Sequence, residues 1–324
     1  MPKVRVYVPT FQRHIMLARA LKSLVAQTYN NWVCEVHNDD PADKFPEKLV
    51  KEIADPRIII INHQKKQGGA KTINNCYAPT SEDFISILED DNWWESEFLE
   101  EMVKAANKNK HATVFWSNMK IWIEKPDGSF EDTKEFTNKN KANNEFIEYW
   151  WPCRQQILGA VHSNGACLVR SGPLVDFRIP DVPQATIESF RERIFPQPLI
   201  FVNKPLANFS VTLKTAREGG NPKWVEALTA LAATFFKYSK WSQKEKEDEF
   251  SIGKTKYPPN TDIFLNAALV EKKCRFFFRL ASPIDLLKWS IRHLMRPQTF
   301  FKILLSRKTN KKMWAFLEAN MQKK

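Results

Sequence analysis

The chain has 324 residues, 43% hydrophobic and 12% aromatic, enough for a sizeable packed core, which excludes a disordered protein. No apolar stretch approaches bilayer-spanning length, and the first residues run straight into a strand without a signal-peptide core, so a cytoplasmic protein is expected. The formal charge is +12, and it is segregated: from residue 272 onward fourteen Lys and Arg oppose only Asp285 and Glu318, leaving residues 1–271 with no net charge. This asymmetry assigns an anionic partner to the tail and argues against nucleic acid as a general partner. The five cysteines form no CxxC pair and read as reduced core thiols rather than disulfides or a zinc site.

Strand and helix signals alternate through the first third. Val4–Val8 is a β-branched run that breaks at Pro9-Thr10, and His14–Thr28 follows with Leu17, Leu21, Leu24 and Val25 at helical spacing. Trp32–Val36 is a second strand, ending in Asn38-Asp39-Asp40-Pro41; Glu47–Ala54 is a short helix and Arg57–Ile61 a third strand. Gly68-Gly69 opens a helix that runs through Tyr77, and Phe84–Leu88 is a fourth strand. A helix over Glu97–Asn107 and a strand over Thr113–Glu124 come next. Residues 131–148 are polar and read as a mobile loop. Late strands are expected over Ala160–Val169 and Leu199–Val211, flanking a helix over Gln184–Ile194. From about 216 the pattern is helical, broken at Tyr257-Pro258-Pro259. The expected fold is α/β, an open and mostly parallel mixed sheet over 1–215 with a helical region over 216–324. Such sheets bind ligands at the C-terminal ends of their strands, where Pro9–Arg13, Asp39-Asp40 and Glu89–Asn92 fall.

Glu89-Asp90-Asp91 places three carboxylates in a row, and the next basic residue along the chain is Lys104. Like charges so close are costly to keep ionised without a cation. A hard divalent metal with open positions for phosphate oxygens is the natural partner.

Val6-Tyr7-Val8-Pro9-Thr10-Phe11-Gln12-Arg13, the Ala20–Leu24 helix, Ala26-Gln27-Thr28-Tyr29, Asp39-Asp40, the Gly68–Asn74 helix start and Glu89-Asp90-Asp91 stand in family order and spacing. Together they resemble the family 2 glycosyltransferases, well over 4–100 and weakly over 160–215. The resemblance implies the GT-A fold, a nucleoside-diphosphate-sugar donor and Mn²⁺ or Mg²⁺. It places Pro9, Thr10 and Arg13 around the nucleotide, Asp39 on the base (a UDP-sugar is favoured) with Asp40 beside it, and Asn74 near the donor. Ile73 stands where the family has arginine, so Lys71 becomes the candidate for the missing charge. Asp91, with Glu89 in place of the first Asp, matches the metal motif, and Asp90 lies near the ribose or behind the metal.

Trp93 and Trp94 are read either as acceptor-stacking faces or as core, and His162 either as a polar acceptor contact or as a core histidine. An inverting transfer needs a general base. The family's Glu-Asp pair is missing, leaving Glu188 first and Asp181 second, or else Glu188 as a plain helix-surface residue. The tail interleaves aromatics with bases, and Lys288, Arg292 and Arg296 recur beside Leu287, Ile291 and Leu294. This suits an anionic membrane surface and a peripheral position at the inner face, with a glycan or lipid-linked acceptor; the other reading packs the apolar face on the protein. The expected function is metal-dependent glycosyl transfer in surface polysaccharide or glycolipid synthesis. The alternatives are a non-catalytic glycan- or lipid-binding protein and a sugar-phosphate nucleotidyltransferase, the latter disfavoured by a first loop without glycine.

Overall fold

The computed structural model describes residues 1–139, 143–213, 221–255 and 260–323. Two compact units emerge. The first takes in the described residues of 1–150, 162–178 and 195–216, and the second those of 151–161, 179–194 and 217–324.

The first unit begins with β1 (Val4–Thr10), α1 (His14–Val25), β2 (Trp32–Asn38), α2 (Phe45–Ile53), β3 (Ile58–Asn62), α3 (Gly69–Asn75), β4 (Phe84–Ile87), β5 (Trp93–Trp94) and α4 (Phe98–Lys108). It continues with β6 (Val114–Glu124), β7 (Phe130–Phe136), β8 (Phe146–Tyr149) and β9 (Cys167–Arg170); after α5 (Ile187–Arg191) of the second unit comes β10 (Leu199–Val211). The strands form one mixed sheet in the order β3-β2-β1-β4-β9-β6-β10-β5, with β7 on β6 and β8 on β10. β3, β2, β1 and β4 are parallel, as are β6 and β10, while β9 runs antiparallel between β4 and β6.

Sequence explains the central strands directly. Val4, Val6 and Val8 have no exposure and all of β4 is buried, as parallel strands covered on both faces require. Leu17, Ala20, Leu21 and Leu24 of α1 recur at three- and four-residue steps, so one helix face joins the core with Leu99, Met102 and Val103 of α4. Gly68, at φ 86°, turns the chain into α3, a backbone conformation that favours glycine.

Three expectations change. Residues 131–148 are not a loop throughout: β7 and β8 occupy most of the described part, pairing antiparallel with long β6 and β10, whose ends offer free ladder positions. The strand expected over Ala160–Val169 starts only at Cys167, after a 3₁₀ turn over Asn164–Ala166. The helix over Gln184–Ile194 shortens to a 3₁₀ turn and α5. The Tyr257-Pro258-Pro259 break lies outside the described residues.

The second unit is helical: α5, α6 (Pro222–Tyr238), α7 (Gln243–Thr255), α8 (Thr261–Val270), α9 (Phe276–Leu280), α10 (Pro283–Met295), α11 (Pro297–Thr309) and α12 (Lys311–Met321). The Asn221 side chain caps α6 by accepting from the Lys223 and Trp224 amides, with Pro222 at the first position. Its core is aromatic, with Phe236 edge-on to Phe264 and Phe277. Segments 151–161 and 179–194 belong here: Trp151 meets Phe235 at 4.9 Å and Phe190 lies at 6.3 Å from Phe316.

Candidate active site

In the first unit, strand order reverses at β1: β2 and β3 lie to one side and β4 to the other. The ends of β1 and β4 therefore flank a topological switch point, where open α/β sheets bind their ligands. The register pairs Thr10 with Asn38, so the loop after β1 and the Asp39-Asp40 turn are neighbours, joined by the Asp39 amide donating to the Thr10 carbonyl at 3.0 Å. Gln12 adopts φ 55° in that loop, a strained conformation for a non-glycine residue, and donates through Nε2 to Asp40 at 2.6 Å. Asp40 also accepts the Ala42 amide, closing its own turn.

Asp39 is buried and accepts three donors: His63 Nδ1 at 2.9 Å and the Gln67 amide at 2.7 Å on Oδ1, and the Gly68 amide at 2.8 Å on Oδ2. Burial opposes its ionisation, yet the His63 bond and the two amides outweigh it and hold Asp39 below the usual carboxylate range. Oδ2, with one donor, keeps acceptor capacity for a ring N–H. Lys71 is exposed on α3, Asn74 is half-buried, and Ile73 is packed in the interior.

The acidic cluster does not lack a local cation. Arg13, entering from the loop after β1, donates to Asp90 Oδ1 at 3.3 Å and also to Asp91. Asp90 is buried and accepts the Phe11 amide at 3.4 Å; burial pushes its carboxyl up to about 6, against the pull of Arg13. Asp91 is half-buried, and its backbone carbonyl accepts Arg19 Nη2 at 2.6 Å. Chain distance concealed this pairing, because Arg13 and Asp91 are 78 residues apart.

Glu89 is held by Asn92, which is itself anchored. Asn92 Nδ2 donates to Glu89 Oε2 at 2.8 Å, while Asn92 Oδ1 accepts the Ser210 amide at 2.9 Å. Gly165 lies against the pair: a Cβ there would sit 2.5 Å from Glu89 Oε2 and 2.9 Å from Asn92 Nδ2. Trp94 is core, stacked on Phe98 at 4.1 Å and donating its indole N–H to the Gly165 carbonyl, so its acceptor reading is withdrawn. His162 is likewise buried, edge-on to Phe195 at 5.3 Å, and belongs with the interior.

Trp93 is half-buried, with the Arg19 guanidinium 3.9 Å from its ring and 4.1 Å from Phe130. Arg19, Gly165 and His63 were missed in the sequence, where Asn92 figured only as the end of the Glu89–Asn92 cluster. Arg19 reads there as an ordinary polar position of α1, and the others have partners only through tertiary contacts.

The candidate bases lie in the second unit. Glu188 is half-buried in α5 and Asp181 is exposed ahead of it. The fully buried acid nearby is Glu192, which accepts the Val161 amide at 2.7 Å and Gln156 Nε2 at 3.0 Å and so clamps the 156–161 segment. Among the described residues, no three His, Cys, Asp or Glu side chains are grouped to hold a metal ion.

Residues 5–155 match the family described as Glycosyl transferase family 2. Over 143 residues the chain is 34% identical to a GalNAc(5)-diNAcBac-PP-undecaprenol beta-1,3-glucosyltransferase of Campylobacter jejuni, covering 43% of this chain and 43% of that protein. Over 112 residues it is 28% identical to a UDP-Glc:alpha-D-GlcNAc-diphosphoundecaprenol beta-1,3-glucosyltransferase, WfgD, of Escherichia coli, covering 35% of this chain and 44% of that one. The chain thus spans less than half the length of these curated relatives. A crystal structure of S. aureus TarS 1-349 in complex with UDP shares the fold, with TM-score 0.54 and 13% identity over 99% of this chain and 91% of that one. The match to the family 2 glycosyltransferases covers residues 5–155, with the strands that carry the switch-point loops, and the likeness of fold, that of the GT-A glycosyltransferases, extends along nearly the whole chain.

Proposed function

We propose that the protein transfers a sugar from a nucleoside-diphosphate-sugar, with UDP-sugars favoured, to a glycan or lipid-linked acceptor in surface polysaccharide or glycolipid synthesis. The observation that carries this reading is the convergence of Asp39, Arg13 and Asp91 at one switch point, from three strand ends. Asp39 Oδ2 would accept the ring N–H of the base. Pro9, Thr10, Asp40, Lys71 and Asn74 line the donor side, and Trp93 offers the acceptor a ring face. The named activities of the Campylobacter jejuni and Escherichia coli relatives involve undecaprenol-diphosphate-linked sugars, which supports a lipid-linked acceptor.

Asp91 and Glu89 supply hard oxygen donors suited to Mn²⁺ or Mg²⁺. Because no third ligand of the protein joins them among the described residues, donor phosphates and water would complete the shell. A bound cation would stabilise negative charge on the leaving diphosphate. Arg13 holds Asp91 in place and lowers the repulsion between Asp90 and Asp91. In an inverting transfer Glu188, with Asp181 as second choice, would take the proton from the acceptor hydroxyl.

The protein would work at the inner face of an anionic membrane through its basic tail. No helix among the described residues is long and apolar enough to cross a membrane. The support is α10, which buries none of its residues and exposes Ile284, Leu287, Ile291, Leu294 and Met295 beside Lys288.

The test is slow hydrolysis of a panel of nucleotide-sugars with Mn²⁺ or Mg²⁺, read with thermal shifts of the matching nucleoside diphosphates. One donor should release its nucleotide metal-dependently and Asp91→Ala should abolish the release; binding without release from any donor would favour a non-catalytic glycan- or lipid-binding protein.

A further inference from the structure

Behind Asp39 a row of polar side chains crosses the parallel strands. His63 Nδ1 lies 2.9 Å from Asp39 Oδ1, His37 Nδ1 lies 3.2 Å from His63 Nε2, and His37 Nε2 lies 3.1 Å from Glu35 Oε2. Glu35 also receives Arg5 Nη1, and Arg5 is held on its far side by Glu82 at 2.7 and 2.8 Å. The Tyr7 ring stands 5.7 Å from the His37 ring. The Gln67 and Gly68 amides complete the surroundings on the Asp39 side.

Counting protons along this row gives an odd result. Ionised carboxylates can only accept, so His63 Nδ1 must donate to Asp39 and His37 Nε2 must donate to Glu35. The facing nitrogens, His37 Nδ1 and His63 Nε2, then need one proton between them. That is three protons on four ring nitrogens, whereas two neutral imidazoles carry two.

We propose that His37 and His63 form a positioning pair that carries one shared positive charge between Asp39 and Glu35, and so fixes the Asp39 carboxylate and the Gln67-Gly68 amides for nucleotide binding. The proposal rests on the reading of Asp39 as the contact to the donor's base. With only two protons, either the facing nitrogens set lone pair against lone pair, or one end of the row sets a lone pair against a carboxylate oxygen; in both cases the row opens and the brace on Asp39 is lost. The proton belongs to the pair and not to either ring. Arg5 and Glu82 anchor the Glu35 end, which leaves Asp39 as the end that responds.

Two measurements test this on the full chain. ¹⁵N NMR of the imidazole nitrogens at pH 7 should show three protonated nitrogens across His37 and His63; two would overturn the proposal. Calorimetry with UDP and Mg²⁺ should show about tenfold weaker binding for His63→Phe, the loss of one charge-assisted bond. His63→Gln should stay within about threefold of wild type, because its amide donates to Asp39 and its carbonyl accepts from His37. If Asp39→Asn binds UDP as wild type does, the donor reading falls and the pair's role with it. If Asp39→Asn weakens binding and His63→Phe does not, the pair alone is refuted. Should His63→Phe fail to fold, the NMR count and the glutamine variant decide: a glutamine variant as weak as Asp39→Asn would refute the pair.

Discussion

Arg13 and Gly165 show how single residues set the acidic site. The acids of the Glu89-Asp90-Asp91 run divide between two neighbours: Asn92 for Glu89, and Arg13 for Asp90 and Asp91. The run itself was legible in the sequence, because three acids after an apolar strand are conspicuous. Its partners were not, since Arg13, Asn92 and Gly165 gain meaning only when β1, β4 and the turn before β9 come together. Gly165→Ala is a sensitive probe of this packing. The new methyl would meet the end of the Glu89 side chain, which can swing, so stability should fall by no more than about 1 kcal/mol. The Glu89 carboxylate would move with it, and affinity for Mn²⁺ in the presence of UDP should drop about tenfold, as read by calorimetry. Unchanged affinity would remove Glu89 from the metal site.

Among the elements, the β1–β4 region and α10 were read with different success. Strands β1 and β4 were legible as buried apolar runs, β2 by its alternation of buried and half-buried residues, and β3 as a run of four isoleucines even though only Ile58 is buried. β7 and β8 were not, because they are polar edge segments that become strands only where β6 and β10 offer a ladder. The inner strands also carry an acid-sensitive brace. The Arg5 bond, aided by Thr80, holds Glu82 down at about 2 against its burial. A lowered folded value means that the stabilisation is complete above the unfolded value near 4.5 and is lost as pH falls towards 2. Glu82→Gln should cost about 2–3 kcal/mol at pH 7 and flatten the decline of stability between pH 4.5 and 2 in urea titrations. An unchanged acid profile would rule the brace out.

At α10 the apolar stripe was legible, and the structure adds that it is uncovered. The Lys288, Arg292 and Arg296 row is less regular than its spacing suggests: Arg292 pairs with Asp262 at 2.5 Å, and Arg296 lies past the helix end. Leu287→Glu with Leu294→Glu should abolish binding to anionic liposomes in flotation and leave the melting temperature within about 2 °C. Retained flotation would exclude α10 as the membrane face.

At the scale of the whole molecule, the tail divides in two. Lys302 pairs with Glu226 at 3.3 Å and Arg307 with Glu271 at 2.8 Å, while Met313, Trp314 and Leu317 of α12 are buried. Part of the +12 is therefore internal to the second unit, and cutting at residue 272 would remove core along with charge. A cut after 216 is no cleaner, because it strips Trp151 of Phe235, Phe190 of Phe316 and Arg154 of Glu249. The 1–216 fragment should be insoluble or melt well below the full chain in circular dichroism; a fragment melting cooperatively at the full-length temperature would contradict this. The pattern of helices after 216 was legible from periodicity, but the assignment of 151–161 and 179–194 to them was not, because no local signal marks which neighbour a short loop-like segment will join. The same interleaving bears on ancestry. A lineage cannot acquire a new helical half by one crossover at a single junction, since two pieces of that half are encoded among the strands. Exchange of the helical unit as a module would need several junctions along the chain at once.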